Sequence, residues 1–461
     1  MLQSFGVKYD NTIMTLWSPT LPENDAPIYR RIADQLEHDV SSGVLLPGSR
    51  LPTHRELAAR LGVTVVTITR AYAEGAHRGL IDSTVGRGSF VRTTSRGAAA
   101  ATEIDLATNI VSGGFGITDA LARRLGAVLT TSYGVGSGSE RHRSAGAKWL
   151  STARSDATAS RIVVTAGAQQ GIFLAMAAVT RPGDFVLAEE LTYHGAKAAA
   201  ALLHVNLAPL PVDRWGLIPD ALAAALRKRN APRVLYTLPT LQNPTGSMMP
   251  DKRRRELAAI AEKHGLTIIE DDVYGFLAEN GPAAITSHIP DRGIFIGGVG
   301  KCLSASLRIG YMLVPERLLV SIQQSLAALT LFASPIGAEI AATAIEDGAA
   351  TRAIVQKRES IAVRRRIAER VLGRRAGRGD PRSPHLWLPL PPDWSVDAFV
   401  EEARQRNVRI AAASAFAVGT AIPSAIRISL GAPATAAEVE TGLQVVASLL
   451  EHGASAAATI V

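Results

Sequence analysis

From residue 104 onward, short apolar runs alternate with stretches of helical periodicity. RIVVT, RVLYTLP, TIIEDDVYGFL, IFIGG and RIGYMLV are such runs. Strands alternating with helices build βαβ units, so residues 104–461 read as an α/β domain with a largely parallel sheet. In open α/β sheets ligands bind where the strands end. The residues at those ends therefore decide what the domain can do.

After RIVVT, the stretch Thr165 to Gln169 is a turn of small residues opening a helix. Small residues let backbone N–H groups approach a phosphate, and a helix N-terminus adds positive potential. RVLYTLP runs into a turn holding Asn243 in Asn-Pro-Thr-Gly. TIIEDDVYGFL ends in carboxylates, with Tyr274 three residues after Asp271. Lys301 follows IFIGG, Arg308 begins RIGYMLV, Tyr193 lies in ELTYHG, and Arg427 lies in AIRISLGAP.

Pyridoxal 5'-phosphate uses this whole set. Lys301 would supply the amine for its aldehyde, and Asp271 would keep its ring nitrogen protonated. Asn243 and Tyr274 would hydrogen-bond the ring oxygen, and Tyr193 would stack on the ring. Gly167, Ala168, Gln169 and Arg308 would hold the phosphate. Arg427 could pair bidentately with a substrate carboxylate, and Asn243 is a second candidate for binding the substrate. Singly each residue has a structural reading: a surface lysine, a helix cap, a core tyrosine, an ion-pair arginine. Their joint order is what carries the assignment.

Residues 25–93 are different: short amphipathic pieces rich in arginine. Ile28, Ile32, Leu36 and Val40 recur every four residues, giving one apolar helical stripe. Thr53 and Glu56 can form a capping box for a second helix, and Gly62 permits a sharp turn. Thr64 can cap a third helix, and LIDST and SFVR flank a Gly-Arg-Gly tip as a small hairpin. Three helices, a tight turn and a hairpin make a winged helix-turn-helix, whose recognition helix enters the major groove of double-stranded DNA. That helix offers Thr64, Thr67, Thr69 and Arg70; the turn before the second helix offers Arg50, His54 and Arg55; the wing offers Arg87. Residues 1–24 read as an N-terminal extension and 94–103 as a linker.

PGSRLPTHRELAARLGVTVVTITRAY followed by GRGSFV resembles the GntR-type winged-helix domain of bacterial transcription regulators. The order GAQ, TYHG, NPTG, Asp-x-x-Tyr, then Lys with Arg seven residues on resembles pyridoxal-phosphate enzymes of the aspartate-aminotransferase fold, fold type I. Together the chain resembles the MocR-type subfamily of GntR regulators. The resemblance implies a homodimer, with Tyr133 contacting the phosphate of the partner subunit's site. Two departures stand out. Val65 replaces an arginine common early in the recognition helix, which points to fewer guanidinium–base contacts. Gly298 and Gly300 replace the serines usual before the lysine, removing a phosphate hydroxyl.

A formal net charge of +8 suits a DNA partner, and 41 of the 49 basic residues are arginine. Compositional bias would give the same excess. The single cysteine, Cys302, rules out an intrachain disulfide and a cysteine-based zinc site. No signal peptide or membrane span is recognisable, so the chain reads as cytoplasmic, with no membrane partner. Two functions follow. One is a transcription regulator that senses an amino compound through its pyridoxal-phosphate domain. The other is an aminotransferase acting on an amino acid and a 2-oxo acid.

Overall fold

The computed structural model describes residues 17–19, 26–41, 45, 49–78, 80–84, 88–91, 103–111, 136–377 and 379–452. They fall into two compact units that divide between Thr102 and Glu103. Arg87, Tyr133 and the linker apart from Glu103 lie outside the described residues.

The first unit contains α1 (Ile28–Ser41), α2 (His54–Leu61), α3 (Val65–His77), β1 (Ile81–Thr84) and β2 (Gly88–Val91). The capping box forms: Thr53 Oγ1 accepts from Glu56 N at 3.3 Å, and Glu56 Oε2 accepts from Thr53 N at 2.8 Å. Gly62 ends α2 at φ 64°, the left-handed turn that glycine makes at little cost. Thr64 then caps α3, accepting from Thr67 N at 3.2 Å. β1 and β2 pair antiparallel, Ile81 opposite Val91. Ile32, Leu36, Leu57, Ile68 and Tyr72 form the core. The four-residue stripe on α1 is only half right. Ile32 and Leu36 are buried, but Ile28 is 44% exposed. A strict four-residue repeat drifts about 40° per step around a 3.6-residue helix, so its ends leave the core face. Asp39 is buried instead, accepting from Trp17 Nε1 at 2.8 Å.

The second unit begins with β3 (Ile104–Asp105) and is built on a seven-stranded sheet. Its strands are β4 (Ile162–Thr165), β5 (Phe185–Glu189), β6 (Asn206–Leu210), β9 (Val234–Thr237), β10 (Thr267–Asp271), β11 (Gly293–Gly298) and β12 (Gly310–Leu313). A small hairpin, β7 (Val212–Asp213) with β8 (Gly216–Leu217), lies outside it. The order is β4-β12-β11-β10-β9-β5-β6, parallel throughout except that β12 runs against both β4 and β11. Strands β4, β9, β10 and β11 are buried along their whole length, which explains their unbroken apolar runs.

The C-terminal subdomain carries β13 (His385–Pro389), β14 (Val408–Arg409), β15 (Ala411–Ala412) and β16 (Ala425–Ser429). β13, β16 and β15 form an antiparallel sheet. Helices Val396–Gln405 and Ala436–His452 share its core, where Phe399, Ile426, Ile428 and Leu443 are fully buried. β14 pairs in parallel with β3, so the entry to this unit is stitched to its last subdomain. No helix among the described residues is long and apolar enough to cross a membrane.

Candidate functional site

At the edge where β4, β10 and β11 end, a cavity of about 530 Å³ opens. It is lined by every described residue assigned above to cofactor or substrate, from Gly167 to Arg427. The phosphate turn is tight. Gly167 has φ 89°, and a Cβ there would lie 3.1 Å from Arg308 Nη2. A Cβ on Gly310 would lie 2.6 Å from the Gly167 carbonyl carbon. Ala168 starts helix Ala168–Val179, which brings its positive end to the cavity. Arg308 does not open a strand as its sequence suggested. It follows the short turn Ala305–Leu307 at φ 50°, and β12 starts at Gly310. Because β12 is antiparallel, this N-terminal approach reaches the same sheet edge as its neighbours' C-terminal ends.

Asp271 ends β10 and is buried. Its Oδ2 accepts from the Tyr236 hydroxyl at 2.8 Å, while Oδ1 is buried and has no hydrogen-bond partner among the described residues. Burial pushes its carboxyl up to about 6. A buried acceptor without a donor is costly, so Oδ1 awaits a donor from a ligand. Tyr274 is buried behind it, and burial raises its phenol so that the hydroxyl keeps its proton. Tyr236 was not found from the sequence. It stands on β9 opposite Ile269, two residues before Asp271 on β10. Two-residue alternation on paired strands is the signal that could have placed it there.

Lys301 lies three residues beyond β11, its Nζ 5.9 Å from the Tyr274 ring centroid. Burial, and then the charge of Arg427, push its ammonium down to about 8. Arg427, on β16, donates to Asn243 Oδ1 at 2.9 Å, and its guanidinium sits 4.8 Å from the Phe416 ring centroid. Burial lowers it to about 10. His385 Nε2 donates to the Gln242 carbonyl at 2.8 Å, and its Nδ1 accepts from Asn109 Nδ2 at 3.2 Å. Burial pushes its imidazolium down to about 3, so the ring is neutral and this tautomer is fixed by the carbonyl.

One segment was not legible as part of the site. Residues 107–111 run across the cavity with alternate carbonyls held by cations. Arg427 bonds the Ala107 carbonyl, Lys301 the Asn109 carbonyl, and Lys357 Nζ the Val111 carbonyl at 2.5 Å. Arg409, also in the lining, binds the Asp105 carboxylate and Thr108 Oγ1.

Glu189 is a further buried carboxyl. Its Oε1 accepts from Thr237 Oγ1 at 2.5 Å and Leu238 N at 3.0 Å, and burial pushes it up to about 7. Glu189 and Asp271 both hold protons more tightly when folded than the ~4 of an unfolded carboxyl. For these two groups the native state binds more protons between those values, so they withdraw stability as pH rises from about 4 to about 7, and His385, held neutral, offsets only part of that loss below about 6.5. The thermal midpoint of the cofactor-free protein is expected to drop by several degrees from about pH 5 to about pH 8. Glu189→Gln should flatten that slope. A midpoint insensitive to pH in both proteins would contradict it.

The comparisons with known proteins agree with this geometry. Residues 102–446 match the family model "Aminotransferase class I and II", and residues 28–91 match "Bacterial regulatory proteins, gntR family". The HTH-type transcriptional regulator YdeF of Bacillus subtilis (strain 168) is 32% identical, over 94% of this chain and 97% of the relative. An archaeal alanine:glyoxylate aminotransferase superposes with a TM-score of 0.70 at 24% identity, over 76% of this chain and 91% of that structure. LysN, the α-aminoadipate aminotransferase of Thermus thermophilus, superposes with a TM-score of 0.69 at 21% identity, over 76% and 92%. That structure contains N-(5'-phosphopyridoxyl)-L-leucine. The chain therefore belongs to the transcriptional regulators that join a gntR-family reader to a class I and II aminotransferase domain, the architecture of the MocR type.

Proposed function

We propose that this regulator binds pyridoxal phosphate in its second unit and uses it to sense an amino compound that bears a carboxylate. The observation that carries the reading is the segment across the cavity. The two cations that such a ligand pair needs, Lys301 and Arg427, are held by the carbonyls of Asn109 and Ala107. That segment leads directly back into residues 94–103, the chain's connection to the DNA reader.

The residues present fit the cofactor: Asp271 Oδ1 has no donor among the described residues, and the turn at Gly167, with the Arg308 guanidinium against it, admits no Cβ. When bound, pyridoxal phosphate supplies an electrophilic aldehyde and an electron-withdrawing ring. Lys301 would supply the amine for that aldehyde, and Asp271 would hold a proton at the ring nitrogen. Asn243, whose Oδ1 is committed to Arg427, has its amide N–H left to hydrogen-bond the ring oxygen, and Tyr274 would do the same. Tyr193 covers the ring face. Gly167, Ala168, Gln169 and Arg308 bind the phosphate. Arg427 binds the carboxylate of the amino compound. Lys301 and Arg427, engaged in this way, would leave the Asn109 and Ala107 carbonyls of the crossing segment. A ligand moves an equilibrium only by binding one arrangement more tightly, and this exchange of partners supplies that difference.

In the reader, Arg50, His54, Arg55, Thr64, Thr67, Thr69, Arg70 and Arg87 face operator DNA. The regulator acts as a cytoplasmic homodimer, with Tyr133 reaching the partner's phosphate site. Gel-shift titration of the full chain with fragments of its own genome tests the reading. A site bound ~1,000-fold tighter than random DNA at physiological salt is expected. Its affinity should change on adding pyridoxal phosphate with amino acids. No site tighter than random DNA would reject the reading.

The lowered Lys301 favours a second activity at the same site. An amine partly neutral near pH 8 can take a proton from a substrate carbon. Sustained amino-group transfer from an amino acid to 2-oxoglutarate, at roughly 1–1,000 per second, with DNA affinity indifferent to both, would assign catalysis instead of sensing.

A further inference from the structure

The outward face of α3 is built largely of methyl groups. Val65 and Val66, its first residues, are 44% and 63% exposed. Thr69 and Ala73 continue the same face, and Arg70 at its edge brings the charge. Ile68, Ala71 and Tyr72 occupy the opposite, buried face. The hydroxyls here are already engaged inside the unit. Thr64 Oγ1 caps the helix and lies 2.9 Å from Thr67 Oγ1. Thr69 Oγ1 donates to the Val65 carbonyl at 3.0 Å and lies 3.2 Å from His54 Nδ1. The end of α3 that a helix-turn-helix inserts into the groove thus leads with apolar, β-branched side chains.

Two adjacent exposed valines at the end of α3 that a helix-turn-helix inserts offer a contiguous apolar surface to the base edges. In the major groove the thymine 5-methyl is the one apolar group that base edges present. Arg55 on α2 and Arg70 on α3 are both exposed, as suits side chains that meet the phosphates bordering a groove. We infer that Val65 and Val66 read the operator through thymine methyl groups, so that each half-site carries thymines where α3 begins. The inference rests on the DNA-binding reading above and assigns its base specificity.

The test uses the full chain loaded with pyridoxal phosphate. Its preferred sequence is selected from a random duplex pool at physiological salt. Each thymine is then replaced by deoxyuridine, which keeps every hydrogen-bonding group and lacks only the methyl. A loss of about fourfold per contacted methyl is expected, the value of one buried methylene. Val65→Ala/Val66→Ala should abolish that sensitivity, so that thymine and deoxyuridine sites bind the double variant equally. Thymine and deoxyuridine sites bound equally would overturn the inference while leaving a sequence-specific regulator. So would a double variant that still prefers thymine. A valine pair serving a protein partner would show as unchanged DNA selection in the double variant. Failure to select any sequence would remove the DNA-binding reading itself.

Discussion

Replacing Lys301 by alanine will abolish covalent attachment of pyridoxal phosphate. The visible absorbance band of the loaded protein should disappear, and borohydride should fix no pyridoxyl group to the chain. Of the eight lysines, Lys301 is the one in the described cavity lining. Lys148 and Lys197 donate to carbonyls elsewhere: Ile345 for one, Ser414 and Ala415 for the other. Lys357 is buried against the Val111 carbonyl. Among the described lysines, only Lys301 combines the position with an ammonium pushed down to about 8, which leaves a usable fraction of free amine near neutrality. The phosphate cradle and Asp271 remain in the variant, so weak cofactor binding should persist. A well-placed intramolecular amine has an effective concentration of ~10⁵ M or more, so losing it should weaken retention by at least about 100-fold. Lys301→Arg should behave like the alanine variant, because it keeps the charge and lacks the amine. Lys197→Ala should keep the band. Borohydride-treated protein carrying the pyridoxyl group on any other lysine would overturn the assignment, and with it both the sensing and the catalytic readings.

The parts of this molecule that were legible in its sequence are those written in side chains. The capping box of Thr53 and Glu56 has a local signature and forms as read. The ligand set stands at run ends because buried parallel strands read as unbroken apolar stretches, and their C-terminal ends must carry the polar residues. The direction of β12 was not legible. An antiparallel strand inside a parallel sheet looks like its neighbours in sequence, so Arg308 was placed in the strand that it only precedes. Tyr236 was hidden for a related reason: inside a buried strand a tyrosine reads as core, and only its register against β10 brings its hydroxyl to Asp271. The carbonyls of Ala107 and Asn109 could not be found at all, because every residue has one and only the fold selects which two meet Arg427 and Lys301.

Arg427→Met is expected to uncouple the sensor while leaving the cofactor in place. Methionine fills the buried position without a charge, and the Lys301 amine and the phosphate cradle are unaltered, so the absorbance band should remain. The carboxylate of the amino compound loses a charge-assisted pair worth ~1.5–3 kcal/mol, and its affinity should fall about 10–100-fold. The segment 103–111 should respond as well. In the native chain Arg427 bonds the Ala107 carbonyl, and Ile104 N and Leu106 N are paired to Asn407 and Arg409 carbonyls at 2.8 Å each. An amino acid that takes Arg427 loosens this segment, so hydrogen exchange of its amides should speed up on ligand addition. In Arg427→Met exchange should already be fast, and ligand should add nothing. DNA affinity should then stop responding to the amino compound while responding as before to cofactor alone. Equal protection of 103–111 with and without ligand, in a native protein whose DNA affinity does change, would show that the signal leaves the site by another route.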